Sequence, residues 1–375
     1  MTSFLTPFFI GHRVHYMLFA TLSLILGIMS VFFELPFLAI TPFFLLLCAP
    51  SILHYFYTNK INYFLMLPLA FLAGIFLHHH QIAHHFAFQE KYNGIPFTIT
   101  GTVASIEKIQ NARHRWHMIV DLESLCATNK QIATQESVAL YCVYNPNVAV
   151  GDAIQLSNVV FKKIEKKEFN LYLAKEKICA TVFVDKPQIN ILDHPRWNLN
   201  RSIAQLRNKI FTALQQSINK ETFALFSSIF LGNRAAVKQH MDHEKEPFKY
   251  WGTSHYLARS GLHLVIFGII WHFILGFLPL LFFWKQLFLI TLISCYSILS
   301  WASVSFNRAL IMFFIAKFCL LARKRLHYVH LITLATFLVL IFNPLQLFYL
   351  DFQLSFGLTF ALAWFSHIQQ HKKCD

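Results

Sequence analysis

Long hydrophobic runs separated by short polar segments occupy both ends of this chain. Each run comes close to the roughly 20 residues that a helix needs to cross a bilayer. The runs lie at about 16–33, 36–57, 63–79, 262–284, 287–304, 309–321, 328–342 and 347–364. The pattern predicts a polytopic α-helical membrane protein with about eight transmembrane helices.

The middle of the chain has a different period. Hydrophobic and polar residues alternate there in short segments, with turn signals at Asn145-Pro146-Asn147 and Gly151-Asp152, which is typical of β-strands. The predicted strands lie at about 97–106, 115–125, 138–144, 153–161 and 178–184. Five strands in about a hundred residues suit a small β-barrel of the OB-like kind.

Helical periodicity returns at 199–218 and 221–231, where apolar positions recur every three or four residues. We interpret these segments as amphipathic helices that lie along the membrane surface. The chain therefore has four predicted parts: three N-terminal transmembrane helices (1–95), an inserted OB-like domain (96–193), amphipathic helices with a linker (194–250), and a transmembrane domain of about five helices (251–375).

Composition and charge support this organisation. The chain is 56% hydrophobic and 13% charged, whereas a soluble domain has about 25% charged residues. Arg13 and Lys60 flank the first runs on one side and Glu34 lies on the other, so the positive-inside rule places the N-terminus in the cytoplasm and the OB-like domain outside. With eight helices the basic loops at Lys285, at 323–325 and at 372–373 also fall inside, which places the C-terminus in the cytoplasm. The net charge of +14 suits phosphate-rich partners or anionic lipid.

Polar residues gather at the predicted outer ends of three transmembrane helices. Such residues are costly in hydrocarbon and usually line water or protein. They are Arg259, Ser260, His263, Asn307, Arg308, Asp351, Gln353 and Ser355. One interpretation is a polar mouth through the helix bundle, with Arg308 and Asp351 as a pair and Gly261 allowing close helix approach. The alternative is that these side chains reach the interface or form interhelical hydrogen bonds.

Two other chemistries are considered and not favoured. Ser260 and His263 are three residues apart on one helix, but the chain has no GxSxG motif and no carboxylate is evident to orient the histidine, so we expect no enzyme activity. Five histidines cluster near the end of the third run: His78, His79, His80, His84 and His85. No carboxylate or cysteine is arranged beside them in the sequence, so we expect no metal site and no cofactor.

The OB-like domain carries two basic and aromatic patches. The first contains Arg113, Arg115 and Trp116, and the second contains Phe161, Lys162 and Lys163. Aromatic stacking beside a basic groove is how OB-folds hold single strands of nucleic acid, so these are candidate DNA-binding residues. Three cysteines of this domain, Cys126, Cys142 and Cys179, could pair in an oxidising compartment or remain free thiols.

Ordered motifs along nearly the whole chain resemble one family, the ComEC competence proteins, which carry single-stranded DNA across the bacterial cytoplasmic membrane. GTVASI, VGDAIQLSNVVF and NLYLAKEKICATVFV look like the family's OB-like domain. The later motifs are SIFLGNRAAV, FKYWGTSHYLARSGLHL, SFNRALIM and NPLQLFYLDFQLSFGLTFAL.

The resemblance implies a set of functional residues: Gly232, Arg234, His255, Ser260, Gly261, His263, Arg308, Gln353 and Ser355. Asn233 stands where the family usually has an acidic residue, and Arg259 replaces an apolar residue before the SGLH motif. Longer members continue into a metallo-β-lactamase-like domain. This sequence contains no HxHxDH motif, so we expect no nuclease activity from this polypeptide; the remainder is either encoded separately or absent from a short or truncated form.

The expected function is therefore a channel or permease component for single-stranded DNA in the bacterial cytoplasmic membrane during natural transformation. Expected partners are single-stranded DNA, membrane lipid, other DNA-uptake proteins and further copies of the chain. Because DNA is a polyanion, Arg234, Arg259 and Arg308 are the candidates for phosphate contact. The alternative is a non-transporting assembly protein whose outer domain binds a partner or an envelope component.

Overall fold

The computed structural model describes thirteen stretches of the chain. They are 16–36, 40–42, 44–49, 66–108, 116–127, 130–162, 164–184, 189–193, 199–232, 250, 261–300, 304–324 and 328–372. The chain divides into two compact units, one formed by Met1–Ile82 with Asn307–Asp375 and the other by Ala83–Phe306.

Helices make up most of the described residues. They are α1 (Tyr16–Phe32), α2 (Met66–Tyr92), α3 (Lys167–Lys175), α4 (Leu199–Ser217), α5 (Lys220–Phe226), α6 (Gly261–Gly276), α7 (Phe282–Leu299), α8 (Val304–Leu321), α9 (Tyr328–Phe342) and α10 (Leu350–Lys372). A π-helical turn, Ser227–Leu231, continues α5, and a 3-10 turn, Pro344–Phe348, precedes α10. The mainly helical architecture with one β-sheet domain confirms the coarse fold prediction.

By length and composition, α2 and α7 are the two helices among the described residues that could cross a membrane, and α1, α6 and α9 are apolar but shorter. Most of the run predicted at 36–57 lies outside the described residues. The run predicted to reach residue 284 ends earlier as a helix, at Gly276. Pro279 follows that end and lacks the amide hydrogen that a continuing helix would need. The count of eight spans stays a prediction.

In the first unit, the backbones of α1 and α2 approach each other closely. A side-chain carbon at Gly27 would collide with the backbone carbonyl of Phe71. Beside this contact, the Ser23 hydroxyl donates a hydrogen bond to the Leu67 carbonyl (2.6 Å). Small residues and short polar side chains are what allow helices to pack without the help of water exclusion. Helix α1 also packs on α9, and its Leu24 is fully buried.

The seven strands form one sheet in the second unit. They are β1 (Pro96–Lys108), β2 (Trp116–Ala127), β3 (Lys130–Ala133), β4 (Ser137–Cys142), β5 (Ala153–Val160), β6 (Ile178–Val184) and β7 (Ile189–Asp193). Their order is β6-β4-β2-β1-β5-β7, with β3 paired to β2 and with β4 and β6 parallel. All five predicted strands are present. The sequence interpretation missed the short strands β3 and β7 and the helix α3.

The ends of this sheet must curl toward each other. Val184 ends β6 and Ile189 begins β7, and a chain can span at most about 18 Å across that interval. In a flat sheet of this order the two strands would be about 24 Å apart, at about 4.8 Å for each neighbouring pair. The sheet is therefore strongly curved, as a barrel-like domain requires, around a core that includes Met118 and Leu140, both fully buried.

The predicted amphipathic segments are helical over Leu199–Ser217 and Lys220–Phe226. Arg207 of α4 donates a hydrogen bond to the carbonyl of Ile298 on α7 (2.9 Å). The π-helical turn after α5 ends at Gly232, whose φ of 81° lies in the left-handed region that favours glycine. The location of these helices at a membrane surface stays a prediction.

Candidate functional site

Several residues singled out from the sequence lie outside the described residues, so the structure places none of their side chains. They are Arg113, Arg115, Lys163, Arg234, His255, Arg259 and Ser260.

Two of the distant sequence motifs meet in the second unit. Phe230, from the segment that precedes the Gly232 turn, lies with its ring 6.2 Å from the ring of His263 on α6. The carbonyl of Phe230 accepts a hydrogen bond from the Tyr296 hydroxyl on α7 (2.6 Å). Tyr296 in turn stacks on Phe267, one helical turn after His263, with ring centroids 4.5 Å apart. The fold therefore brings Phe230, just before Gly232, close to His263 on α6, which begins at Gly261.

In the first unit, Arg308 contacts Asp351, but at its backbone carbonyl and not at its carboxylate. Arg308 is only 3% exposed, and its guanidinium donates a hydrogen bond to the backbone carbonyl of Asp351. The same guanidinium lies over the ring of Phe356, 5.4 Å from the centroid, a cation–π arrangement that stabilises a buried cation. This geometry joins α8 to α10. The predicted contact between Arg308 and phosphate stays a prediction.

Gln353 and Ser355 belong to the same end of α10. The Gln353 side chain donates to the Leu347 carbonyl (2.9 Å), which ties the 3-10 turn to the helix. The backbone carbonyl of Ser355 accepts a hydrogen bond from the Thr359 hydroxyl (2.5 Å). These hydrogen bonds stabilise the N-terminal end of α10. A role of Gln353 and Ser355 in a polar mouth stays a prediction.

An aromatic row crosses the outer face of the β-sheet. It consists of His117 on β2, Tyr141 on β4 and Phe183 on β6, which stand opposite one another in register. The ring centroids of His117 and Tyr141 are 4.8 Å apart, and those of Tyr141 and Phe183 are 5.0 Å apart with nearly parallel planes. The Phe183 side chain is 53% exposed. The row is a candidate platform for planar ligands.

The sequence interpretation missed Tyr141 and Phe183. Neighbouring positions in the register, such as Leu140 and Val182, are buried on the other face of the sheet. This alternation was visible in the sequence, but pairing of the three rings depends on the parallel register of β4 and β6. A parallel pair leaves no hairpin turn in the sequence to fix that register.

Helix α3 borders the aromatic row. Burial raises the pKa of Tyr172, and the charges of Glu176, Tyr141 and Glu107 raise it further. Ile164 and Phe169 pack in the same hydrophobic cluster as Tyr141. The segment that contains them also exposes three lysines, Lys162, Lys166 and Lys167. The same segment also exposes Glu165 and Glu168, so lysines and carboxylates alternate beside the aromatic surface.

Two features set the electrostatics of the row itself. Burial lowers the pKa of His117, although the nearby Glu107 carboxylate opposes this effect. His117 is therefore a neutral ring at pH 7, and the row offers stacking rather than charge. Glu107 stands opposite His117 on β1, so the acidic end of the row is the end away from Phe183.

The structure corrects the second predicted DNA-binding patch. The Phe161 side chain is 2% exposed and packs against Phe88 and Phe97 in the core, with ring centroids 5.9 and 5.8 Å away. It therefore supplies no face on which a base could stack. Trp116 is half-buried and also packs on the core, whereas Lys162 is exposed as the prediction required.

Comparisons with known proteins address the family. Residues 229–374 match the family model described as Competence protein. The ComE operon protein 3 of Bacillus subtilis (strain 168) is 27% identical over 206 residues, which cover 55% of this chain and 26% of that protein. The chain thus spans about a quarter of the length of this curated relative. No solved structure gives a significant match.

The match to the Competence family, together with the apolar helices, indicates that this is a membrane protein. The Competence family model and the Bacillus subtilis relative confirm the resemblance to ComEC-family competence proteins that is seen in the motifs.

Proposed function

We propose that this protein is a membrane component of bacterial DNA uptake and that its β-domain receives a single strand of DNA on the aromatic row. Similarity to the Competence family and to the Bacillus subtilis relative supports the DNA-uptake role. The observation that carries the receiving step is the alignment of His117, Tyr141 and Phe183 across three neighbouring strands.

A single strand fits this surface better than a duplex. Unpaired bases expose their flat faces, whereas a duplex keeps them stacked inside. A base that stacks on an aromatic side chain contributes about 1–3 kcal/mol without regard to sequence. The half-exposed Phe183 is the ring most open to such a base. We assign contact with the phosphate backbone to the exposed Lys162, Lys166 and Lys167.

Transport through the bundle is the second part of the proposal. Eight transmembrane helices with both termini in the cytoplasm would place the β-domain outside, where incoming DNA arrives. Arg234 and Arg259 are the proposed phosphate contacts at the mouth. The Phe230–His263 contact supports a role for this region, since it lies next to both arginines in sequence.

The test is binding of a labelled single-stranded oligonucleotide to the full chain in detergent, measured by anisotropy across a salt series. Phe183→Ala should weaken binding roughly 5- to 150-fold, which corresponds to the loss of one stacked base. Tyr144→Ala is the matched control, because Tyr144 is an exposed aromatic residue of the same domain, outside the row. Unchanged binding by Phe183→Ala would contradict the receiving step and favour the assembly-protein alternative.

Salt dependence separates stacking from phosphate binding. Binding should weaken with salt in the wild type, because lysines that bind phosphates release counterions. Replacing Lys166 and Lys167 by Gln should make the salt dependence shallower, by about 0.7 in the logarithmic slope for each phosphate that is no longer neutralised. Phe183→Ala should leave the slope unchanged while it lowers affinity at every salt concentration. A slope altered by Phe183→Ala would contradict the assignment of stacking to the row.

A further inference from the structure

Three residues with metal-binding side chains come together where α2 reaches the β-domain. His84 lies on α2, Glu136 lies just before β4, and Cys179 lies on β6. The His84 Nε2 atom is 3.2 Å from one carboxylate oxygen of Glu136. The Cys179 Sγ donates to the other oxygen at 2.8 Å. All three donor atoms lie within 4.8 Å of one another.

The donor set matches a zinc-class ion. Imidazole nitrogen, thiolate sulfur and carboxylate oxygen are the three ligand types that Zn²⁺ takes from proteins, at about 2.0–2.3 Å. Ligand atoms around a tetrahedral ion at those distances are about 3.3–3.7 Å apart. The His84–Glu136 distance of 3.2 Å is close to that spacing. The Cys179–Glu136 distance of 2.8 Å is that of a thiol hydrogen bond, so the sulfur and the carboxylate oxygen must move apart by about half an ångström or more when an ion binds.

Charge also favours a divalent cation here. A thiolate and a carboxylate together neutralise the two positive charges of the ion, which reduces the cost of burying any one of them. The thiol proton now donated to Glu136 would be released to solvent when the metal binds, as metal binding to cysteine requires. The sulfur side of the cluster is buried, since Cys179 is 4% exposed. The His84 side chain is 52% exposed, which gives an ion a route of entry and leaves room for water as a fourth ligand.

A buried polar network supports the backbone beneath the cluster. The Gln89 side chain donates to the carbonyl of Cys179 (3.1 Å) and to Asn170 (2.8 Å). His85, next to the proposed ligand, is within 2.6 Å of the same Asn170 oxygen. Hydrogen bonds of this kind hold the segments that carry metal ligands in place. They fix one turn of α2 against β6 and α3.

We propose that His84, Glu136 and Cys179 form a binding site for a zinc-class divalent cation that ties the end of α2 to the β-domain. This corrects the expectation that no carboxylate or cysteine stands beside the histidine cluster. The partners were invisible in the sequence because they lie 52 and 95 positions from His84. The site is separate from the aromatic row and does not depend on DNA binding.

The test measures metal directly. The full chain is purified in detergent, equilibrated with Zn²⁺, separated from free metal and assayed for bound zinc. We expect about one ion per chain in the wild type and almost none in Cys179→Ser or His84→Ala. Cys126→Ser and His79→Ala are matched controls from the same domain and the same helix, and both should retain zinc. A wild type without stoichiometric zinc, or a Cys179→Ser variant that retains it, would overturn the proposal.

Cobalt provides an independent readout that does not depend on stability. Co²⁺ bound by a thiolate shows a ligand-to-metal charge-transfer absorption that a Co²⁺ ion held by nitrogen and oxygen lacks. The wild type should show this band, and Glu136→Gln, which preserves shape, should weaken cobalt binding. If Cys179→Ser is poorly folded, the band in the wild type and its loss on Zn²⁺ addition decide the question. Absence of the band in a cobalt-loaded wild type would exclude Cys179 as a ligand.

Discussion

Arg308 contacts the backbone carbonyl of Asp351, whereas the sequence suggests an ion pair with the Asp351 carboxylate. Comparing Arg308→Ala with a variant of Asp351 distinguishes the two contacts. The variant loses the hydrogen bond to the Asp351 carbonyl and the cation–π interaction with the Phe356 ring. A hydrogen bond from a charged donor contributes about 1.5–3 kcal/mol, and a desolvated cation–π interaction contributes about 1–2 kcal/mol. The Arg308 side chain is only 3% exposed, so water cannot replace these contacts. We therefore expect Arg308→Ala to lower the free energy of unfolding by about 2.5–5 kcal/mol.

The paired variant is Asp351→Asn. The Asp351 side chain is exposed, and its backbone carbonyl is what Arg308 contacts. Removing the carboxylate charge should therefore change stability by no more than about 0.5 kcal/mol. Each variant is purified in a mild detergent, and its unfolding is measured by titration with a denaturing detergent. Membrane fractionation shows whether each variant is inserted. An Asp351→Asn variant as unstable as Arg308→Ala would refute the backbone contact and restore the carboxylate pair.

Three further predictions concern packing, charge and thiol chemistry. Gly27→Leu should cost at least about 1–3 kcal/mol, because the new side chain collides with the neighbouring helix backbone; the readout is the yield of monodisperse protein. Arg201→Ala should cost about 1.5–3 kcal/mol, because it removes the 2.9 Å ion pair with Asp152, which is 1% exposed; chemical denaturation measures this. Burial and the nearby Glu136 carboxylate raise the pKa of Cys179, so at pH 8 and without metal it should be alkylated more slowly than Cys126, which alkylation kinetics measure.

The secondary structure of the β-domain was predictable because its signals are local. Alternation over 97–106 and the Gly151-Asp152 turn mark strands whatever their partners. Helix α3 was missed since Lys167–Lys175 is short and begins in a charged segment, which was interpreted as a basic patch. Its helical character becomes clear only when Leu173 is seen buried against the sheet.

The candidate sites were less predictable, because they depend on register and on long-range contacts. The approach of Arg308 to Asp351 was foreseen, but which oxygen accepts the hydrogen bond depends on how α10 begins. Phe161 was taken for a surface ring because lysines follow it, whereas its ring belongs to the core. None of the six described cysteines is in a disulfide, so the thiol alternative agrees with the structure of Cys126, Cys142 and Cys179 in the described part of the chain.

The most direct test of the central claim is DNA uptake in the host bacterium. The chromosomal copy is deleted, and either the wild type or Phe183→Ala is supplied at equal protein level. Labelled DNA that becomes protected from external nuclease is then measured. We predict that deletion abolishes uptake, that the wild type restores it and that Phe183→Ala restores it only weakly. Normal uptake in the deletion strain would contradict the account.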